Sequence, residues 1–272
     1  MQSGESAAGT GDASGNRTEM LSLGNRENEW PRRWDVLSVA TGCSSIAWEG
    51  FASVSSYLEE DGIWCQPIGG SAEANLEGPR PALFLDRDGV IVEDVGYLHR
   101  PGDVRLVPGA AEVIAAANRA AVPVIAVTNQ SGIGRGLYGW AEFTETEARI
   151  AADLAARGAH LNMIVACPFH ADGTPPYRHP AHPCRKPQPG MILRAGARLG
   201  LDLARSWIVG DRATDLAAGC AAGLAGGLHV LTGHGPAERQ KAQDIATKRF
   251  QVQLADSIVS AMGIIPQLKL AV

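Results

Sequence analysis

Two aspartates one residue apart, Asp86 and Asp88, close a short apolar run and are followed at once by Gly89 and Val90. In an extended segment, residues i and i+2 point to the same side, so both carboxylates leave the strand together. Gly89 then lets the backbone turn away. Such a pair can divide labour, one carboxylate attacking phosphorus and the other moving a proton to the departing oxygen. The Asp-x-Asp-Gly pattern also opens some calcium loops, but the later ligands of an EF-hand are missing here. Further along, Val127-Thr128-Asn129-Gln130-Ser131-Gly132 sets a hydroxyl ahead of backbone N–H groups in a glycine-bearing turn, which suits phosphate oxygens. Gly132, Gly134 and Gly136 lack the spacing of a dinucleotide-binding loop. Arg185-Lys186-Pro187 places two cations just ahead of a helix; alone, such a pair would read as solvated surface. Ile208-Val209-Gly210-Asp211, with Asp215 four residues on, brings carboxylates that complete an oxygen-rich site for Mg2+.

These residues need a scaffold that gathers distant segments, and the pattern from Pro81 onward supplies one. Apolar runs at Ala82–Leu85, Val122–Val127, Met163–Ala166, Trp207–Val209 and Leu228–Leu231 read as strands. Ala-rich amphipathic stretches lie between and after them, at Ala110–Ala120, Trp140–Arg157, Pro189–Leu199, Ala213–Ala222 and Ala237–Lys248. Pro108-Gly109 and Pro189-Gly190 stand where helices begin. Alternating strands and helices imply βαβ units: an α/β, three-layer, Rossmann-like fold with a central parallel sheet. In such sheets ligands bind beyond the C-terminal strand ends, where all four chemical elements fall.

Bulk properties narrow the class. A chain of 272 residues, 45% hydrophobic and 19% charged, can bury a proper core. A net charge of −5 argues against a general nucleic-acid binder. No apolar run is long enough to span a bilayer, and the N-terminus lacks the basic-then-apolar pattern of an export signal. Five cysteines in a chain of this length fit a reducing cytoplasm rather than a disulfide framework. Residues 1–29 are polar and glycine-rich and are expected to be disordered. Residues 30–79 hold Trp30, Trp34, Trp48, Trp64, Cys43 and Cys65 without clean periodicity, and read as an extension of uncertain structure. The catalytic domain is expected over 80–272. A different class of reading makes the Trp-rich segment an interaction or scaffold module with the catalytic domain as passenger.

Taken together, Asp86/Asp88, Thr128, Lys186 and Asp211/Asp215 resemble the signatures of the haloacid dehalogenase (HAD) superfamily of phosphohydrolases. A closer resemblance is carried by Phe84–Val90, Asp94-Val95-Gly96-Tyr97, Thr128–Gly136, Arg185-Lys186-Pro187 and Pro189-Gly190-Met191. These strings are similar to the branch that contains D-glycero-D-manno-heptose 1,7-bisphosphate 7-phosphatases and histidinol-phosphate phosphatases. That branch has no large cap domain, and only a loop and one helix fit between Asp88 and Thr128. The resemblance implies Asp86 as nucleophile and Asp88 as general acid and base. Mg2+ would be held by Asp86, the carbonyl of Asp88 and Asp211, with Asp215 one step further out. Thr128, Arg185 and Lys186 would attend the phosphoryl group. Asp94, Val95, Gly96, Tyr97, Asn129, Gln130, Ser131, Arg185 and Arg212 would contact substrate. Val92 stands where the branch often has Asn. The partner implied is a small phosphorylated sugar, bound by a monomer with no nucleic-acid or membrane partner.

The branch also carries a structural zinc before Arg-Lys-Pro. Here Cys167-Pro168-Phe169-His170 and His182-Pro183-Cys184 offer Cys and His ligands at close spacing. Phe169 takes the usual His position, and His182 replaces a Cys. The expectation is either Zn2+ on Cys167, His170, His182 and Cys184, with His179 as a substitute ligand, or a reduced, metal-free loop. Cys220 reads as a small packed hydrophobe.

Overall fold

A computed structural model describes residues 57–68 and 78–269. Its strands are β1 (Trp64–Pro67), β2 (Leu83–Leu85), β3 (Val124–Asn129), β4 (Met163–Cys167), β5 (Trp207–Gly210), β6 (Gly226–His229) and β7 (Gln251–Leu254). They form one sheet in the order β1-β4-β3-β2-β5-β6-β7. All neighbours from β4 to β7 pair in parallel, and only β1 runs antiparallel to its neighbour β4. The order reverses at β2, so successive connections leave in opposite directions from its C-terminal end and open a crevice there.

The helices cover both faces: α1 (Ala110–Arg119), α2 (Ser131–Gly134), α3 (Trp140–Ala155), α4 (Gly190–Leu199), α5 (Ala213–Ala221), α6 (Gly235–Gln243), α7 (Ala261–Ile264) and α8 (Pro266–Lys269). Leu83 and Leu85 pack with Val113 and Ile114 of α1 and with Phe143 and Ile150 of α3. Phe84 faces the other way, towards Met191 and Ile192 of α4 and Leu216 of α5. A strand buried on both faces must be apolar throughout, which is why β2 reads Leu-Phe-Leu and not as an alternation. Each such side chain contributes roughly 1.5–3 kcal/mol by leaving water.

The sheet starts upstream of residue 80. β1 lies within the segment read as an uncertain extension, and Trp64, fully buried, stacks on Trp140 with ring centres 5.2 Å apart. Phe143 meets the same indole edge-on at 5.7 Å. Glu59 pairs with Arg194 and Arg198 of α4, and Asp61 with Arg194, tying the approach to β1 across the sheet edge. Strand periodicity was absent because a four-residue edge strand is too short to show it. Residues 1–29, Trp30, Trp34, Cys43 and Trp48 lie outside the described residues.

Two further expectations shift. β6 starts at Gly226, not Leu228, because its glycines lie under other side chains. A Cβ on Gly226 would come within 2.8 Å of both the Trp207 ring and the Gln251 carbonyl. The helix expected to reach Lys248 stops at Gln243. The Thr247 hydroxyl then accepts from Arg249 N and Phe250 N at 3.2 and 3.0 Å, turning the chain into β7, an edge strand the sequence did not announce. No described helix is long and apolar enough to cross a membrane.

Candidate active site

The C-terminal ends of β2, β3 and β5 converge on one ammonium group. Lys186 Nζ lies 2.8 Å from Asp86 Oδ1 and 2.7 Å from Asp215 Oδ1, and donates to the Val127 carbonyl at 2.8 Å. Its place is set by Asn129 at the end of β3, whose amide accepts from Lys186 N and donates to Lys186 O, both at 3.1 Å. Asp215 works twice: its other oxygen accepts from Arg212 N at 3.0 Å, capping α5. That double duty explains the four-residue interval after Asp211. Burial opposes the charge on Lys186, but Asp215 and Asp86 outweigh it and hold the ammonium above the ordinary lysine range.

Three carboxylates around one cation leave negative charge in excess. Asp86, Asp211 and Asp215 each place an oxygen within 4.8 Å of the others, the one such convergence of three or more acidic, imidazole or thiol groups among the described residues. Burial and then Asp215 push the Asp86 carboxyl well up against the pull of Lys186; the same two causes raise Asp211 to about 6. Asp211 Oδ2 accepts from His234 N at 2.7 Å, while its buried Oδ1 has no partner. The backbone closes tightly here: Gly89 has φ +83°, and a Cβ on it would sit 2.5 Å from Asp211 Oδ2. Hard oxygen donors, surplus negative charge and an unsatisfied buried oxygen fit Mg2+.

Asp88 stands apart from this group, on the cleft side. Arg87 donates to it through Nε (3.1 Å) and Nη2 (2.9 Å), and Gln130 Nε2 approaches at 3.2 Å. The cleft, about 430 Å3, is lined by Asp86, Asp88, Asp94, Gly96, Tyr97 and Thr128. Asn129, Ser131, Arg185, Lys186, Arg212 and Asp215 line it as well. Two expected contacts fall outside it. Gln130 is 2% exposed and spends its amide on Asp88, Thr128 and the Tyr138 hydroxyl, so it supports the site from behind. Val95 is 54% exposed, on the outer side of its loop.

The lining also includes His170, Thr214 and His234, which the sequence reading did not assign to substrate. His234 Nε2 lies 2.8 Å from Asp94 Oδ2, so the loop after β6 meets the loop after β2 across the mouth. Its signal was available: Thr232-Gly233-His234-Gly235 begins three residues past the end of β6. Glu147, buried on α3 against Arg87, gave none, since a Glu within a helix usually faces solvent.

The four expected zinc ligands are not brought together. Phe169 stacks on the His182 ring at 3.9 Å, and His182 Nδ1 accepts from Cys184 N. His170 turns instead to the Arg135 guanidinium, 3.2 Å from Nε2, and to the cleft. Burial pushes the Cys167 thiol up to about 12 and the Cys184 thiol up to about 11, and the Arg194 guanidinium lies 3.8 Å from Cys184 Sγ.

Comparison with known proteins agrees with this geometry. The HAD-hydrolase-like family matches residues 183–257. The D-glycero-beta-D-manno-heptose-1,7-bisphosphate 7-phosphatase of Mesorhizobium japonicum is 44% identical over 203 residues, 75% of this chain and 91% of that protein. Its namesake from Vibrio cholerae is 40% identical over 164 residues, 60% of this chain and 88% of that protein. A crystal structure of a HAD-like phosphatase from Mesorhizobium loti superposes with TM-score 0.69 at 38% identity, covering 79% of this chain and 97% of that one. The D,D-heptose 1,7-bisphosphate phosphatase of B. bronchiseptica, solved with magnesium and phosphate, gives TM-score 0.58 at 29% identity, covering 67% and 96%. Fold and site therefore define a phosphatase of the HAD type. The chain belongs to the HAD superfamily, in the branch of the heptose-bisphosphate phosphatases.

Proposed function

We propose that this enzyme is a Mg2+-dependent phosphomonoesterase that works through an aspartyl-phosphate on Asp86 and removes the 7-phosphate of D-glycero-D-manno-heptose 1,7-bisphosphate. The observation that carries this reading is the contact between Lys186 and Asp86 beside the unpartnered Asp211 oxygen, at the floor of an open cleft. Asp86 and Asp211, with the Asp88 carbonyl, would hold Mg2+, which when bound neutralises the repulsion between an anionic nucleophile and an anionic phosphoryl group.

The Asp86 carboxylate attacks phosphorus in line, forming an O–P bond as the bond to the sugar oxygen breaks. Asp88 gives its proton to that oxygen. Lys186, the Thr128 hydroxyl and the Asn129 N–H donate to the equatorial oxygens, where charge accumulates. In the second half Asp88 takes a proton from water, which attacks the same phosphorus and returns Asp86 as carboxylate. Arg185 and Arg212 at the rim favour a substrate with a second phosphate. The relatives named for the bisphosphate support the same substrate. The reading carries a cytoplasmic monomer acting on a small sugar phosphate.

Phosphate release from heptose 1,7-bisphosphate and from histidinol phosphate, with Mg2+ and with EDTA, tests it. The bisphosphate is expected to win by about 100-fold in kcat/KM, roughly 2.7 kcal/mol, in Mg2+ only. Preference for histidinol phosphate would keep the chemistry and change the substrate.

A further inference from the structure

The residue between the two site aspartates is itself buried. Arg87 is 1% exposed, and its side chain lies inside the protein against the Phe143 ring, 5.6 Å from the centroid. Its guanidinium makes a fork on Asp88, with Nε on Oδ2 and Nη2 on Oδ1, while Nη1 donates to Glu147 Oε1 at 2.7 Å. Glu147 comes from α3, sixty positions away, and is 3% exposed. Gln130 adds a third donor to Asp88 and joins it to Thr128, the Thr128 hydroxyl accepting at 2.8 Å, and Tyr138 donates to the Gln130 carbonyl.

Burying a guanidinium is costly unless its donors are met, and a planar fork fixes a carboxylate in angle as well as distance. An exposed Asp88 would sample several rotamers, of which few aim an oxygen at the departing sugar oxygen. One cation here serves two carboxylates, and the second comes from a helix that contributes no residue to the cleft lining.

We propose that Arg87 and Glu147 are positioning residues for proton transfer: Glu147 anchors Arg87 on α3, and Arg87 orients Asp88 towards the leaving oxygen. The inference rests on the reading of Asp88 as the proton donor. The step it serves is the cleavage of the phosphorus–oxygen bond to the sugar, in which the proton leaves Asp88 for the alkoxide as the pair is released to oxygen. An aryl phosphate loses a stabilised phenolate that needs no proton, so its first half-reaction, read as the burst of p-nitrophenolate in a single turnover, reports phosphoenzyme formation without this transfer.

The test compares heptose 1,7-bisphosphate with p-nitrophenyl phosphate in Arg87→Lys and Glu147→Ala, with Glu147→Gln as the conservative control. The expected result is a fall of about tenfold or more in kcat on the sugar phosphate, KM within about twofold, and a p-nitrophenolate burst rate within about threefold of wild type. Glu147→Gln keeps an acceptor for Nη1 and should stay near wild type on both substrates. A p-nitrophenolate burst slowed as much as sugar-phosphate turnover would mean a merely structural role and overturn the proposal, as would an undiminished rate on the sugar phosphate. Melting curves identify a misfolded variant, and the other substitution then decides. Wild-type enzyme inert towards both substrates would instead remove the proposed function, and this inference with it.

Discussion

Lys186 bridges Asp86 at the end of β2 and Asp215 in the first turn of α5, with its ammonium 2.8 and 2.7 Å from the two carboxylates. The bridge ties Asp86, the proposed nucleophile, to an element that follows it by more than a hundred residues. The same charge that orients Asp86 also stabilises the crevice.

Replacing Lys186 with Met should therefore damage both properties. Loss of the donor to the phosphoryl oxygens is expected to lower kcat by about 10²-fold or more. Two buried carboxylates left without their cation should cost about 3–5 kcal/mol of stability. Steady-state kinetics and urea unfolding measure the two effects; near-normal turnover would remove Lys186 from the mechanism.

Asp86→Asn and Asp88→Asn should fail differently. The first removes the proposed nucleophile, so neither phosphate release nor acid-stable phosphoenzyme is expected. The second should be nearly inactive but bind Mg2+ almost as wild type, because the contact assigned to Asp88 is its carbonyl. Titration of Mg2+ by calorimetry separates them, and a phosphoenzyme trapped in Asp86→Asn would refute the assignment.

Mg2+ should stabilise the enzyme more at pH 7.5 than at pH 5. Burial and Asp215 raise Asp211 to about 6 in the folded protein. A carboxyl raised on folding contributes stability in its protonated form, present below the unfolded value of about 3.9 and lost as pH rises through about 6. Ionised Asp211 is also the form that accepts a cation, so the metal's contribution grows over the same interval. Melting curves at the two pH values, with Mg2+ and with EDTA, should show the larger EDTA effect at the higher pH; equal effects would place the cation elsewhere.

Deleting residues 1–78 should destabilise the domain, whereas deleting 1–56 spares β1. The first deletion uncovers the β4 edge and removes the indole packed between Tyr57, Trp140 and Phe143. Trp64→Ala alone is expected to cost about 3–5 kcal/mol, measured by urea unfolding. Equal stability of the full chain and the 1–78 deletion would show that β1 adds nothing.

The sequence alone determined the alternation of strands and helices from Pro81 onward and the assignment of Asp86, Asp88, Thr128, Lys186 and Asp211 to strand ends or to a loop before a helix. That was legible because buried parallel strands must be apolar throughout and polar side chains emerge where they stop. What escaped it depends on partners distant along the chain. Glu147 looks like any helical surface residue until Arg87 is found buried against it. Gln130 looks like a substrate contact until its amide is seen to face inward. β1 is too short to show a period, and its place is set by β4, Trp140 and the ion pairs of Glu59 and Asp61. The zinc reading, offered beside a metal-free loop, rested on a family pattern, whereas coordination requires convergence of side chains, and among the described residues Cys167, His170, His182 and Cys184 do not converge. Local pattern reports which groups a strand end presents; only tertiary packing decides which of them meet, because a hydrogen bond or an ion pair depends on distance in space and not along the chain.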